Sequence, residues 1–326
     1  MKFEAIMKLW TLITTLTAIN QLKTTGTYIF DKHFKNKGKG VLGRTAKLKI
    51  KKGAGIVLKS IAPGADRLVD DLGDVYELTI ELPRFGKSGQ ILAHEINEYE
   101  SLEGKAKAEA ISLKIKEIML EHKNDYMTTY EHMATGALFG KVVDGVGKVL
   151  FEFRTTAAPI EFKGKKIIKA YDEIDQALVD ELGTEVPYDI YASPEFISSV
   201  ADNAEAAGLF DKNDNAQWKD EGSKRVLIVH GKKYIPFRGS WTDENGNIKR
   251  HIAEREAVVV PLSEDVFDFI YGRADHTDAL KAAPKMFFAA APEKMEKGKG
   301  WSIETETKGI PYCVRPGALI KLKYSA

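Results

Sequence analysis

Three glycines, Gly38, Gly40 and Gly43, stand in the spacing G-x-G-x-x-G. In a dinucleotide site that spacing lets backbone amides meet a pyrophosphate at a helix N-terminus. The chemistry requires an apolar strand before the glycines and a helix after them. Here Lys and Asn residues precede them and the strand-like run AKLKI follows, so the stretch reads as a flexible linker. Asp211–Asn215, DKNDN, has the opening of a calcium loop, but the sixth position is Ala216 and the twelfth is Gly222. A calcium loop needs glycine at the first of these and a bidentate glutamate at the second. The seven histidines, among them His94, His122 and His132, form neither HExxH nor a Cys/His pairing. His122 lies in an apolar stripe and reads as a packing residue. The single cysteine, Cys313, has no neighbouring sequence that would lower its pKa and reads as a small core residue. No G-x-S-x-G or Walker motif occurs. No catalytic, cofactor-binding or metal residue is therefore assigned, and the chain is not read as an enzyme.

The elements that would have to position any site say more. The chain has 326 residues, 44% hydrophobic and 29% charged, with a net charge of +1. This is a globular composition, long enough for two modest domains or one elaborated one. Near-neutral charge argues against a dedicated nucleic-acid binder with a global basic field. One cysteine cannot close an internal disulfide, which fits a reducing compartment. No apolar run is long enough to span a membrane. The run Leu9 to Ile19 has the length of a signal-peptide core, but it is Thr-rich and Glu4 precedes it. It reads as a short helix or arm that packs on a partner surface.

Charge is segregated further along. Ten Lys or Arg residues lie between Lys32 and Lys59 with no Asp or Glu among them. From Asp66 to Glu81 the sign reverses, with Asp66, Asp70, Asp71, Asp74, Glu77 and Glu81. The alternations AKLKIK and YELTIEL predict a two-stranded flap with opposite charges across it. Such a flap has little core of its own and needs something else to pack on. A neighbouring copy of the chain is the natural candidate. Arg67, Arg84, Lys87, Asp70 and Asp71 are the candidate inter-subunit contacts.

Ile111, Ile115, Ile118, His122, Tyr126, Tyr130, Met133 and Ala137 then recur at helical spacing, and Met119, Met127, Ala134 and Leu138 widen the stripe. They predict one helix from Leu102 to Leu138, roughly 50 Å long. Beyond it come a hairpin turning at Asp144 to Gly147 and a strand–helix pair. A second strand–helix pair runs from the strand Tyr188–Ala192 into a helix capped by Ser193 with Pro194 behind it. A strand pair, a turn at Asp243–Asn247 and a buried strand at Glu256–Leu262 follow. The runs GWSIETETKG and GALIKLKYS close the chain as alternating strands. The fold class is α+β, without internal repeats at solenoid or propeller periods.

This order of parts resembles the major capsid proteins of tailed bacteriophages, in particular the lambda-type major capsid protein E family. Three stretches carry the likeness: KSIAPGADRLVDDLG with LPRFGKSGQILAHEINEYESLEG, then YDIYASPEFISSVADNAE, then KGWSIETETKGIPYCVRPGALIKLKYS. None is a catalytic signature. The resemblance implies the Hong Kong 97 capsid fold, with an N-terminal arm over 1–43 and an extended β-hairpin loop over 44–97. It places a peripheral domain with the long spine helix over 98–164 and 293–326, and an axial domain over 165–292. It implies a major head protein that self-assembles into hexamers and pentamers of an icosahedral shell. No cofactor is implied. The implied partners are further copies, a separate scaffolding protein, a portal and a decoration protein. Packaged double-stranded DNA would be held non-specifically, with no membrane involved. The virion capsid is the implied location, assembled in the host cytoplasm. Two readings stand beside it: an encapsulin-like nanocompartment shell of the same fold, and an α+β enzyme without a recognisable motif. A tail tube protein is a weaker rival, opposed by the long helix.

Overall fold

The computed structural model describes residues 3–24, 26–53, 75–153, 158–162, 167–210, 215–222, 224–242 and 245–325. The chain divides into two compact units. The first comprises Met1–Lys47, Thr79–Glu131 and Phe269–Pro311; the second comprises Leu48–Leu78, His132–Asp268 and Tyr312–Ala326.

The first unit is organised by one strand, Gly300–Cys313, most of which belongs to it. Arg84–Leu92 pairs antiparallel with it over nine positions, from Leu92 opposite Gly300 to Arg84 opposite Lys308. The short strands Phe288–Ala289 and Glu293–Lys294 also pair on it. Gly38–Val41 joins the same sheet by running parallel to Phe267–Gly272. Gly38 and Gly40 of the G-x-G-x-x-G spacing are thus strand residues, not a linker, and Gly43 lies in the bend that follows. A Cβ on Gly38 would stand 3.1 Å from the Phe269 ring, and one on Gly40 would stand 3.0 Å from the Tyr271 ring. Glycine there lets two rings lie flat across the strand.

The long helix runs Gly104–Leu138, 35 residues and about 50 Å. A separate helix, Ala93–Glu100, precedes it, so the acidic junction is itself helical. All twelve residues of the sequence stripe are buried. The stripe meets the strand by matching repeats. Four helical residues rise about 6 Å and two strand residues about 6.6 Å, so helix positions four apart can follow strand positions two apart. His122 Nδ1 lies 2.8 Å from Thr305 Oγ1, and Tyr126 donates its hydroxyl to the Thr305 carbonyl at 2.8 Å. One turn later the Tyr130 hydroxyl lies 2.5 Å from Thr307 Oγ1. Around Tyr130 the rings of Phe30 and Phe269 pack at 5.1 and 5.2 Å.

The N-terminal segment, read from sequence as a partner-facing arm, packs on its own chain. Phe3, Ile6, Met7, Trp10, Ile19, Ile29, Phe30 and Phe34 are buried. The Thr15 hydroxyl donates to the Ala289 carbonyl at 2.8 Å. Lys123 of the long helix is 6% exposed and donates to the carbonyls of Asn20 and Leu22, at 3.1 and 2.8 Å. It thereby places a cation at the carbonyl end of the helix Leu12–Gln21. Burial brings its pKa down to about 8. At the opposite polarity, the Glu131 carboxylate accepts from the amides of Tyr28, Ile29 and Phe30.

The second unit holds a seven-stranded sheet. Its order is Ile160–Glu161, Ile320–Lys323, Glu256–Pro261, Tyr188–Ala192, Lys232–Pro236, Lys224–Val229 and Ala216–Glu221. Tyr188–Ala192 is central and buried throughout. The helices Ile167–Leu182 and Pro194–Ala206 pack their apolar faces on this sheet around Phe162, Ile174, Phe196 and Tyr234. Ser193 caps the second helix, its Oγ accepting from the Phe196 amide at 3.3 Å, with Pro194 at the first position. Cys313 is a buried core residue whose thiol donates to the Val266 carbonyl at 3.3 Å. Thr45–Lys51 and Val75–Glu81 form a separate two-stranded sheet, the base of the expected flap. Ala46, Leu48 and Ile50 are buried on alternate positions of its first strand. The DKNDN run, apart from Asn215, lies outside the described residues.

One polar pair in this unit sets a pH dependence. His132 Nδ1 and His251 Nδ1 lie 3.3 Å apart, and Trp241 packs 4.2 Å from the His132 ring. Burial holds both imidazoles neutral. The His251 pKa falls to about 4, chiefly from burial and then from repulsion by His132. His132 is lowered by burial as well, opposed by the Asp144 backbone and carboxylate. An unfolded histidine near 6.5 takes up protons that the folded one refuses, so stability declines as pH falls from about 6.5 to about 4. The expected loss at His251 is on the order of 3 kcal/mol across that window, read from urea midpoints of the unassembled subunit. His251→Gln should flatten the decline.

Candidate assembly surface

The candidate contact residues sit where the return strand begins. Pro83 lies in front of Arg84–Leu92, and alternate side chains of that strand face outward. Arg84 Nε donates to Glu306 at 2.7 Å, and its nearest approach to Asp275 is 3.9 Å. The Asp275 amide donates to the other Glu306 oxygen at 2.7 Å, and Lys308 Nζ binds Asp275 at 2.8 Å. Glu306 and Lys308 are buried side chains of the central strand. Lys87 is ion-paired with Asp125 of the long helix. Arg84, Lys87, Asp275 and Glu306 line a cavity of about 350 Å³ together with His276 and Glu304.

Taken in the order Glu306, Arg84, Asp275, Lys308, the four charges alternate in sign along one connected chain of contacts. The hydrogen bond and charge of Glu306 raise the Arg84 pKa. The Lys308 hydrogen bond is the main cause of the lowered Asp275 pKa. Arg84 and Asp275 are thereby held in their charged forms, opposite the two nearly buried side chains Glu306 and Lys308. At the flap base, Arg44 and Glu81 pair at 2.6 Å with both side chains well exposed, a contact worth little by itself.

Sequence spacing brought Arg84 and Lys87 forward, and both stand on this strand with partners inside the chain. Arg67, Asp70 and Asp71 lie outside the described residues. Glu306, Lys308 and Asp275 were missed. The run ETETK reads as a half-exposed strand, yet Thr305, Glu306, Thr307 and Lys308 are all buried. The two threonines face the helix and the two charges face the ionic chain. The missed signal was the alternation of Glu with Lys at one face of the strand. Among the described residues no group of three or more His, Cys, Asp or Glu is placed to hold a metal ion. No described helix is long and apolar enough to cross a membrane.

A long helix on a sheet built around one long strand, a two-stranded β-stem, and a helix-covered mixed sheet define a Hong Kong 97-type capsid fold. Residues 12–324 match the family Phage major capsid protein E, and the chain belongs to that family. It is thus a phage major capsid protein, a structural component of the head and not an enzyme. Comparison with curated proteins finds no match. Among solved structures, the putative capsid protein of a prophage of E. coli CFT073 is 14% identical, with a TM-score of 0.58 over 97% of this chain and 99% of that one. The capsid of the cyanophage P-SCSP1u is 10% identical, with a TM-score of 0.50 over 94% and 90%. The holo-SrpI encapsulin complex of Synechococcus elongatus PCC 7942 matches at 10% identity and 0.50, over 99% and 95%. At such identities these likenesses speak for the fold alone. The family match assigns the protein to the phage head and its self-assembling shell.

Proposed function

We propose that the chain builds its shell as hexamers and pentamers, with its extended loop, over 44–97, laid across a neighbouring subunit. The observation that carries this is the two-stranded stem Thr45–Lys51 with Val75–Glu81, followed directly by the charged return strand Arg84–Leu92. A stem of two strands lends itself to extension by contact with another molecule. In this assignment 1–43 is the arm, 98–164 with 293–326 the peripheral domain, and 165–292 the axial domain around capsomer centres. Arg84 and Lys87 keep 54% and 36% side-chain exposure beside their own partners, which leaves each able to meet a carboxylate of the next copy. Arg67, Asp70 and Asp71 act in further contacts with a neighbouring copy. Repetition around a closed shell makes contacts of about 0–1 kcal/mol each matter.

The remaining partners follow from the same reading: a separate scaffolding protein, a portal, a decoration protein and non-specifically held double-stranded DNA, with assembly in the host cytoplasm. Negative-stain electron microscopy with size-exclusion chromatography, at low and high salt, tests it. Closed shells or capsomer-sized rings are expected, with fewer at high salt because exposed pairs are screened. A chain that stays monomeric beside a co-expressed scaffolding protein would overturn it.

A further inference from the structure

The second unit contains a cavity of about 590 Å³ that the ionic chain above does not touch. Lys141, Lys249, Arg250, Lys321 and Lys323 line it, against the single carboxylate of Glu256. Arg250 is held by Glu195 at 2.6 Å, and Lys323 stands opposite Glu256 in the strand register. Among the described residues, Lys141 and Lys321 make no ion pair. His132 lines the same cavity at 8% exposure, and its buried Nε2 has no hydrogen-bond partner. Buried polar atoms are normally paired, so an unpaired one on a residue lining a cationic cavity marks a place for an acceptor oxygen.

The rest of the lining selects among anions. Trp241 carries the His132 ring at 4.2 Å and the Lys249 ammonium at 5.5 Å, so its surfaces are already engaged and a nucleobase has no platform on which to stack. Phe139, Val143 and Leu322 supply apolar wall. Carboxylates alternating with aliphatic side chains fit this mixture better than a phosphodiester chain does. This protein contains such a segment: Asp66, Asp70, Asp71 and Asp74 are interleaved with Leu68, Val69 and Leu72. The segment is tethered in the second unit. The Gly53 amide donates to Glu181 at 3.2 Å, and its carbonyl accepts from Arg315 at 3.1 Å. Between Gly53 and Val75 lie 21 residues, whose contour of about 70 Å allows an out-and-back reach of about 35 Å.

We infer that the cationic cavity at His132, Lys249 and Lys321 is the docking site for the acidic segment Asp66–Asp74 of a second copy of this chain. The inference rests on the shell reading and adds to it where the loop is received. The test mixes two variants, Asp71→Cys and Lys249→Cys, during assembly, followed by mild oxidation; the native Cys313 is buried and silent. A disulfide-linked band at twice the 36.3 kDa chain mass is expected from the mixture and from neither variant alone. A second arm spares the shell: a labelled peptide of residues 65–75 is titrated into the wild-type protein and into Lys249→Glu. Affinity should fall about tenfold in the variant, and equally when the four aspartates of the peptide become asparagine. Peptide binding indifferent to both changes, or displaced only by a short oligodeoxythymidylate, would overturn the site. Closed wild-type shells without the mixed band would overturn the docking alone, whereas failure of the wild type to form shells would count against the underlying reading.

Discussion

Arg84→Glu should unfold the first unit under mild denaturant and leave no shells. The substitution sets a carboxylate beside Glu306, whose side chain is 6% exposed, and beside Asp275. Arg84 is half-exposed, so the loss comes from the Glu306 side: leaving that nearly buried acceptor without its partner costs about 1–3 kcal/mol, and a like charge adds to that. Lys308 cannot compensate, since its ammonium is already bound to Asp275. The measurement is a urea midpoint of the unassembled subunit beside particle counts in negative stain. The swap Arg84→Glu with Glu306→Arg separates the two roles of the arginine. If Arg84 serves only its own chain, the swap restores both the midpoint and the shells. If it also meets a neighbour, the midpoint returns and the shells do not. A wild-type midpoint for Arg84→Glu alone would remove the ionic chain from the account of stability.

Tyr130→Ala should cost about 4 kcal/mol, the range for deleting a buried aromatic ring. Tyr130 is fully buried between Phe30 and Phe269, and its hydroxyl meets Thr307. Burial pushes its pKa up, so it remains a neutral donor at any working pH. Tyr130→Phe keeps the ring and loses only the hydroxyl, leaving Thr307 its bond to the Met286 carbonyl at 2.6 Å. Its cost should stay near 1 kcal/mol. Denaturant midpoints of the two variants give the ratio. Equal losses would mean that the hydrogen bond, not the packing, fixes the helix on the strand.

What could be read from sequence divides along physical lines. The stripe Ile111 to Leu138 was legible because a helix presents one face to one surface, so twelve residues repeat a single instruction. Ser193 and Pro194 were legible because a cap is a local bond between neighbours. The burial of Cys313 and the packing role of His122 followed from their apolar context. By contrast, Gly38 and Gly40 were misread because their reason for being glycine lies in Phe269 and Tyr271, more than two hundred residues away. The polar run Thr305 to Lys308 looked half-exposed because sequence alternation cannot tell water from an ionic partner brought in from residue 84 or 275. The N-terminal segment was assigned outward for the same reason: its hydrogen-bond partners, the Ala289 carbonyl and the Lys123 ammonium, are distant in sequence. The contact role of Arg67, Asp70 and Asp71 rests on charge pattern, which tells what a segment can bind but not where.

The pairing of Arg84–Leu92 with Gly300–Lys308 also sets a clock. More than two hundred residues separate the two strands. At roughly 5–20 residues per second of synthesis, the earlier strand waits on the order of 10–40 s for its partner. Through that interval the ionic chain at Glu306 and the aromatic seat at Thr307 do not exist. A growing chain that has not yet reached Gly300–Lys308 therefore lacks the sheet from which its charged return strand is presented. Assembly competence arrives only once the later strand has been made, so shorter growing chains are kept from joining one another through this face.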